Sequence, residues 1–230
     1  ATPSLALART DLGVIERRQG HDIPIAHLNI TRARVRMATI TPKNLNDAAN
    51  SMRQYSYEGE EDPMGGFKIV LDKELDLGNA DNEFKQTAID LTTALNEHGT
   101  AWVLLEVSAR ISTGWFQWQT IRQMALVQVT DLGITAALAE EELGALVTNL
   151  GDGQPTPGAR VRFVDRDMEL GSAGTVDDNG MVRLPRKGET AVGSTDIPYY
   201  LLVESADGTD SAFLLIQSSG GGGYLSSYSY

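Results

Sequence analysis

Three histidines, His21, His27 and His98, are the first residues to weigh for metal or acid–base chemistry, since imidazole both ligates zinc and titrates near neutral pH. His21 and His27 stand six positions apart across an expected turn and strand, no His-Glu-x-x-His pair exists, and no cysteine can complete a thiolate set. A zinc site is not expected. Asp165-Arg166-Asp167-Met168-Glu169 has the oxygen ligands of a calcium loop, but its sixth position is Leu170 where Gly is needed and its twelfth is Val176 where Glu is needed. The run Glu58-Gly59-Glu60-Glu61-Asp62 also lacks spaced ligands and reads as a solvated acidic loop. Gly220 to Gly223 has no following Lys-Ser or Lys-Thr, so it cannot cradle a phosphate. No Gly-x-Ser-x-Gly elbow occurs, and Glu140, Glu141 and Glu142 read as a solvated turn between strands. These residues assign no catalytic, cofactor-binding or metal position, and the chain is not expected to be an enzyme.

Two further patterns bear on binding. Arg32, Arg34 and Arg36 alternate with Ala33, Val35 and Met37, the period of a half-buried strand with a basic outer face. Such a row suits phosphate or acidic protein, although a solvated face is its ordinary state and the expectation here. Trp115, Phe116 and Trp118 form an aromatic cluster that would serve either as a binding hot spot or as a seam between two packed sandwiches, and the seam is expected. Net charge is −12, from 19 basic and 31 acidic residues, which argues against nucleic acid or an anionic membrane as partner. No stretch approaches the roughly 20 apolar residues of a membrane-spanning helix, so direct membrane insertion is not expected.

The elements that must position these residues read as short strands. Ile23 to Ile30 is expected to be an edge strand because Pro24 cannot donate to a ladder. Thr41-Pro42 opens a short helix. Phe67 to Leu71 begins a strand, and Phe84 to Leu91 is read as strand followed by turn, although Phe84, Ala88, Leu91 and Leu95 also recur at helical spacing. His98 to Val107 carries the strongest strand signal in the first half. Farther on, Leu126 to Gly133, Leu143 to Thr148, Ala159 to Val164 and Met181 to Leu184 are strands, with Val161 and Phe163 facing inward against Arg160 and Arg162. Asp177-Asp178-Asn179-Gly180 is expected to be a hairpin tip with positive φ at Gly180, and Asp207-Gly208 another hairpin turn between Tyr199–Glu204 and Ala212–Ile216. Strands at intervals of about 8 to 12 residues point to β-sandwiches, and 230 residues suffice for two.

Leu126-Val127-Gln128-Val129-Thr130-Asp131-Leu132-Gly133, then Gly153-Gln154-Pro155-x-x-Gly158-Ala159-x-Val161, then Thr175-x-Asp177-x-x-Gly180, in this order and spacing, resemble a macroglobulin-type domain of the bacterial alpha-2-macroglobulins. The resemblance implies an all-β fold of two consecutive Ig-like or fibronectin-like macroglobulin sandwiches, over residues 1–118 and 119–217, with a Gly- and Ser-rich linker over 218–230. It also implies that the chain is a non-catalytic structural fragment of a large periplasmic endopeptidase inhibitor acting in bacterial defence. In such proteins cleavage of a bait region triggers collapse around the protease, in many members with capture by a Cys-Gln thioester. This chain has no Cys and hence no thioester. Its expected partners are other domains of the parent chain and, through the full-length protein, target proteases; the parent would sit in the periplasm with an inner-membrane anchor. The alternative is a prealbumin-like β-sandwich binding module of a bacterial surface or export protein, recognising a ligand through loops such as 55–66.

Overall fold

The computed structural model describes residues 2–7, 11–55, 62–78, 81–114, 117–139, 141–165, 167–185, 199–216 and 224–226. It divides into two compact units, one of Ala1–Ile15 with Gln19–Val129, the other of Glu16–Arg18 with Thr130–Tyr230.

The first unit contains β1 (Ser4–Leu7), β2 (Asp11–Glu16), β3 (Asp22–Leu28), β4 (Arg32–Ile40), α1 (Leu45–Tyr55), β5 (Ile69–Asp76), β6 (Phe84–Asp90), β7 (Ala101–Gly114) and β8 (Gln117–Thr130). A three-stranded sheet in the order β1-β3-β6 lies over a five-stranded sheet in the order β2-β8-β7-β4-β5. Alternation decides which side chains fill the space between them: Leu5, Leu7, Ile23, Ile25 and Ile89 from the first sheet, and Val35, Met37, Val103, Leu105, Val107, Ala125 and Val127 from the second, form one buried cluster. The other face of the five-stranded sheet is apolar at one end, where Ala38, Ile40, Trp102, Leu104 and Leu126 are buried. Leu45, Ala48 and Ala49 of α1, at helical spacing, and Met64 are buried as well. At the helix entry the Asn44 side-chain carbonyl accepts the Thr41 backbone N–H at 2.8 Å, as the Thr-Pro start leads one to expect.

Pro24 departs from expectation. β3 is the central strand of its sheet, paired with β1 on one side and β6 on the other. In antiparallel pairing a residue turns both backbone groups to the same side, so Pro24 opposite Ala88 must be a non-hydrogen-bonded pair, with its nitrogen directed away from β6. That ladder with β6 therefore loses no bond at Pro24; the described register with β1 runs to Leu7↔Ile25, and Ala8, the next residue, lies outside the described residues.

The second unit contains β9 (Leu132–Leu138), β10 (Glu142–Asn149), β11 (Arg160–Val164), β12 (Leu170–Thr175), β13 (Met181–Pro185), β14 (Tyr199–Glu204), β15 (Ser211–Ile216) and β16 (Tyr224–Ser226). Its sheets run β13-β10-β9-β16 and β12-β11-β14-β15. Ile134, Leu143, Val147, Val182 and Leu184 meet Val161, Phe163, Leu201, Val203 and Leu214 in a single core, with Arg160 and Arg162 outside as read from the sequence. Gly180 has φ +81, the positive value expected, and its N–H donates to the Asp177 carbonyl at 3.0 Å. The turn is nevertheless not a hairpin: β12 and β13 belong to different sheets, and the Asp-Gly turn carries the chain across the core from one to the other. Asp207-Gly208 does close a hairpin, between β14 and β15.

The all-β, two-sandwich expectation thus describes the architecture. The division falls at Val129/Thr130 instead of 118/119, because β8 continues unbroken from Gln117 to Thr130 as the partner of β7. Within the stretch read as a linker, Tyr224–Ser226 adds a strand to β9, since an open ladder offers unpaired backbone groups to any nearby extended segment; residues 218–223 and 227–230 lie outside the described residues.

Candidate functional site

The residues singled out for metal or catalytic chemistry are dispersed. His27 is buried in β3 with Nε2 3.2 Å from Thr87 Oγ1, and burial, then Lys85, hold its pKa below 6.5. The His21 carbonyl accepts the Leu91 N–H at 2.9 Å, and His98 lies at a turn whose amide is bound by the Asn96 side chain. Asp165 turns its carboxylate back onto the Asp167 and Glu169 N–H groups, both at 2.9 Å, so its oxygens shape a turn. Among the described residues no group of three or more His, Asp or Glu side chains is arranged to hold a metal ion. Glu142 begins β10; Glu58 to Glu61, Glu140, Gly220 to Gly223, Trp115 and Phe116 lie outside the described residues. Trp118 is 59 % exposed, and its side chain faces Arg110, whose guanidinium carbon is 5.1 Å from the indole centroid.

Two polar constellations do assemble. The first lies on the outer face of the five-stranded sheet, away from the core between the two sheets. There Arg36 reaches Asp62 with two guanidinium nitrogens at 2.9 and 2.6 Å, and it also pairs with Glu106 of β7, a carboxylate only 1 % exposed. Arg122 of β8 approaches the same carboxylate, Nε to Oε1 3.6 Å. Hydrogen bonding to Asp62 raises the Arg36 pKa above its ordinary value, and the same bond holds Asp62 below the usual carboxylate range. Arg34 repeats the two-point grip on Asp72, at 2.8 and 2.6 Å. The row expected to be a solvated face is one at Arg32 and Arg34, whose side chains are 70 % and 55 % exposed, while Arg36 is buried; with Arg110 and Arg122 from two other strands the row lines a groove of about 680 Å³. Sequence could show the row. It could not show that β7 and β8, some 75 residues on, would add to it.

The second constellation belongs to the second unit and explains the Val129-Thr130-Asp131-Leu132-Gly133 run. Thr130 Oγ1 donates to the Asp210 carboxylate at 2.8 Å while accepting the Leu132 N–H at 3.0 Å, and the other Asp210 oxygen accepts the Asp131 N–H at 2.8 Å. Arg17 meets the Asp131 carboxylate at 2.5 Å. Thr130, Asp131 and Asp210 are all buried, and burial pushes the Asp210 pKa above its ordinary value. Asp210 comes from the β14–β15 turn, so this clasp ties the entry of β9 to a hairpin 80 residues away.

Residues 129–221 match the family described as the bacterial alpha-2-macroglobulin MG3 domain, beginning within the clasp motif and spanning nearly the whole second unit. The resemblance is to the bacterial alpha-2-macroglobulins. Solved structures extend the alpha-2-macroglobulin likeness to the first unit at the level of fold. Native alpha-2-macroglobulin from Escherichia coli spanning domains NIE-MG1 aligns over 92 % of this chain and 96 % of that one, at 17 % identity and TM-score 0.65. The piece spanning MG0-NIE-MG1 aligns over 94 % and 65 %, at 19 % identity and TM-score 0.62. The trypsin activated alpha-2-macroglobulin from Escherichia coli aligns over 93 % of this chain but only 14 % of its own, at 16 % identity and TM-score 0.61. The domain names differ, MG3 against NIE-MG1, so the comparisons agree on alpha-2-macroglobulin and on fold, not on position along the parent. No curated protein matches the chain.

Proposed function

We propose that this chain is a non-catalytic structural piece of a bacterial alpha-2-macroglobulin, part of the frame of a periplasmic protein that traps endopeptidases and protects the cell from them. The observation that carries the reading is the family match over residues 129–221, and the fold agreement across 96 % of a two-domain alpha-2-macroglobulin structure supports it. A frame has to keep its shape while other parts move. Each unit supports that role with a closed sandwich core, and the second adds a buried clasp at the start of its first strand. Trapping in the resembled family calls for a bait and a body large enough to enclose an enzyme, and the present chain corresponds to 14 % of the trypsin activated structure. Its partners would be the neighbouring domains of the parent and, through them, the protease.

The test is to mix the chain with trypsin and follow hydrolysis of casein and of a small chromogenic substrate. Neither rate should change with the chain alone, while the parent protein should suppress casein hydrolysis more than hydrolysis of the small substrate. Stoichiometric inhibition by the chain itself, a covalent adduct with trypsin, or a parent without effect on casein hydrolysis would overturn the reading.

A further inference from the structure

We propose that the arginine groove on the outer face of the first unit is a docking site for an acidic, extended segment of a partner protein, held at Arg32 and Arg110 and packed against Trp118. The argument is independent of the family resemblance and starts from register. In the β4–β7 ladder Arg34 stands opposite Ser108, and continuing the same antiparallel count by two residues sets Arg32 opposite Arg110. Residues directly opposite on one face lie about 5 Å apart at Cβ, and like charges there repel. Ordinarily such a pair is relieved by carboxylates, and this sheet shows how: Arg34 is gripped by Asp72 and Arg36 by Asp62, each through two nitrogens.

Arg32 and Arg110 have less. Among the described residues Arg32 has only Glu74 as a charged partner, at 3.9 Å, and its side chain remains 70 % exposed; Arg110 faces the Trp118 ring and pairs with no described carboxylate. The natural cross-strand candidate, Asp76, turns its carboxylate to the Gly78 N–H at 2.8 Å. One end of the groove therefore presents two guanidinium groups with unspent donors, beside an exposed indole one pair along the β7–β8 ladder. Arginine and tryptophan in this combination are the residues that anchor protein interfaces. A carboxylate placed between Arg32 and Arg110 would reproduce the two-point geometry already present beside it, and an apolar neighbour would cover the indole.

Charge complementarity chooses the class of partner. Glu74 and Glu106 line the same groove and the whole chain carries −12, so a dense polyphosphate such as nucleic acid, or an anionic bilayer, meets repulsion outside the arginine row. A peptide with carboxylates spaced along an extended backbone meets the arginines one at a time, with the Thr120 hydroxyl of β8 beside Arg110.

The experiment titrates the 230-residue chain into fluorescein-labelled hexaglutamate by fluorescence polarisation, with hexaglutamine, an oligothymidylate and phosphatidylserine vesicles in parallel. Saturable binding to hexaglutamate alone is expected, weakening between about 50 and about 300 mM salt as screening grows. Arg32→Ala and Arg110→Ala should each lower affinity about fivefold, the worth of one partly exposed charge contact, Arg110→Lys less, and the pair Arg32→Glu with Arg110→Glu should abolish binding. Trp118 emission should shift on saturation in the wild type and not in the charge-reversed pair. All these side chains are exposed, so unchanged melting midpoints certify the variants as folded. The proposal is overturned if hexaglutamate does not saturate, if charge reversal leaves binding intact, or if oligothymidylate or vesicles bind as well. Self-association of the wild type in sedimentation, lost on charge reversal, would make a second copy the occupant and also overturn it.

Discussion

Replacing Asp210 by Ala tests the clasp at the entry to β9. The change removes the acceptor of two bonds, from Thr130 Oγ1 and from the Asp131 N–H, both 2.8 Å, in a site where Thr130 is fully buried. Each buried donor left without a partner costs about 1–3 kcal/mol, or about 2–6 kcal/mol for the two. Relief of a desolvated carboxylate offsets part of this, so the net loss should lie in the lower part of that range, about 2–4 kcal/mol. Asp210→Asn keeps an oxygen for the Asp131 N–H and should cost about 1 kcal/mol. Thr130→Val strands the Leu132 N–H, and combined with Asp210→Ala it should show a coupling of at least about 1 kcal/mol. Urea unfolding monitored by a probe in the second unit measures these values. Proton linkage adds a check. The Asp210 pKa is raised in the folded state, so its stabilising contribution is complete below the unfolded value of 3.8 and is lost as pH rises through the folded pKa. Asp210→Asn should remove that slope. If Asp210→Ala unfolds within about 0.5 kcal/mol of wild type, the range of an ordinary surface change, the clasp does not hold this unit together.

Gly180→Val forces a β-branched residue to φ +81 and brings its Cβ within 2.9 Å of the Val147 carbonyl oxygen, so a loss of about 3 kcal/mol is expected in thermal unfolding, with Gly180→Ala near 2. Glu106→Ala leaves Arg36 with Asp62 alone and should cost about 3 kcal/mol, whereas Asp62→Asn, at a carboxylate 55 % exposed, should cost no more than about 1; equal losses would refute the assignment of Glu106 as the buried anchor. His27 has a depressed folded pKa, so its contribution is complete above 6.5 and is lost as pH falls below that value; His27→Gln should flatten the stability profile there in urea titrations between about pH 5 and 7.5.

Local chemistry made much of this legible in the sequence. Alternation placed Val161 and Phe163 in the core, the Thr-Pro start located α1, and Gly180 carried the φ that Asn-Gly foretells. What escaped were relations between distant segments. An Asp-Gly turn has the same local chemistry whether its strands pair in one sheet or cross between two, so β12 and β13 could not be assigned by reading 177–180. The aromatic residues near 118 suggested a join, but the chain carries β8 past them to Thr130, where the buried hydroxyl and carboxylates mark the true division. The groove was legible only in its first strand, because Arg110 and Arg122 take their places through pairing that the residues themselves do not announce.

Pro24 has a consequence for how the three-stranded sheet finds its alignment during folding. Opposite Ala88 its nitrogen points away from β6, and the ladder between β3 and β6 loses no bond. Sliding β3 by one position against β6 would turn the strand over, aim the Pro24 nitrogen at β6 with no hydrogen to give, and at the same time rotate Ile23 and Ile25 out of the core. A wrong alignment is thus penalised twice, by a lost bond and by apolar side chains set in water, while the right one is penalised by neither. The proline works as a register lock, a residue that adds no contact to the finished sandwich and yet removes its nearest competitor.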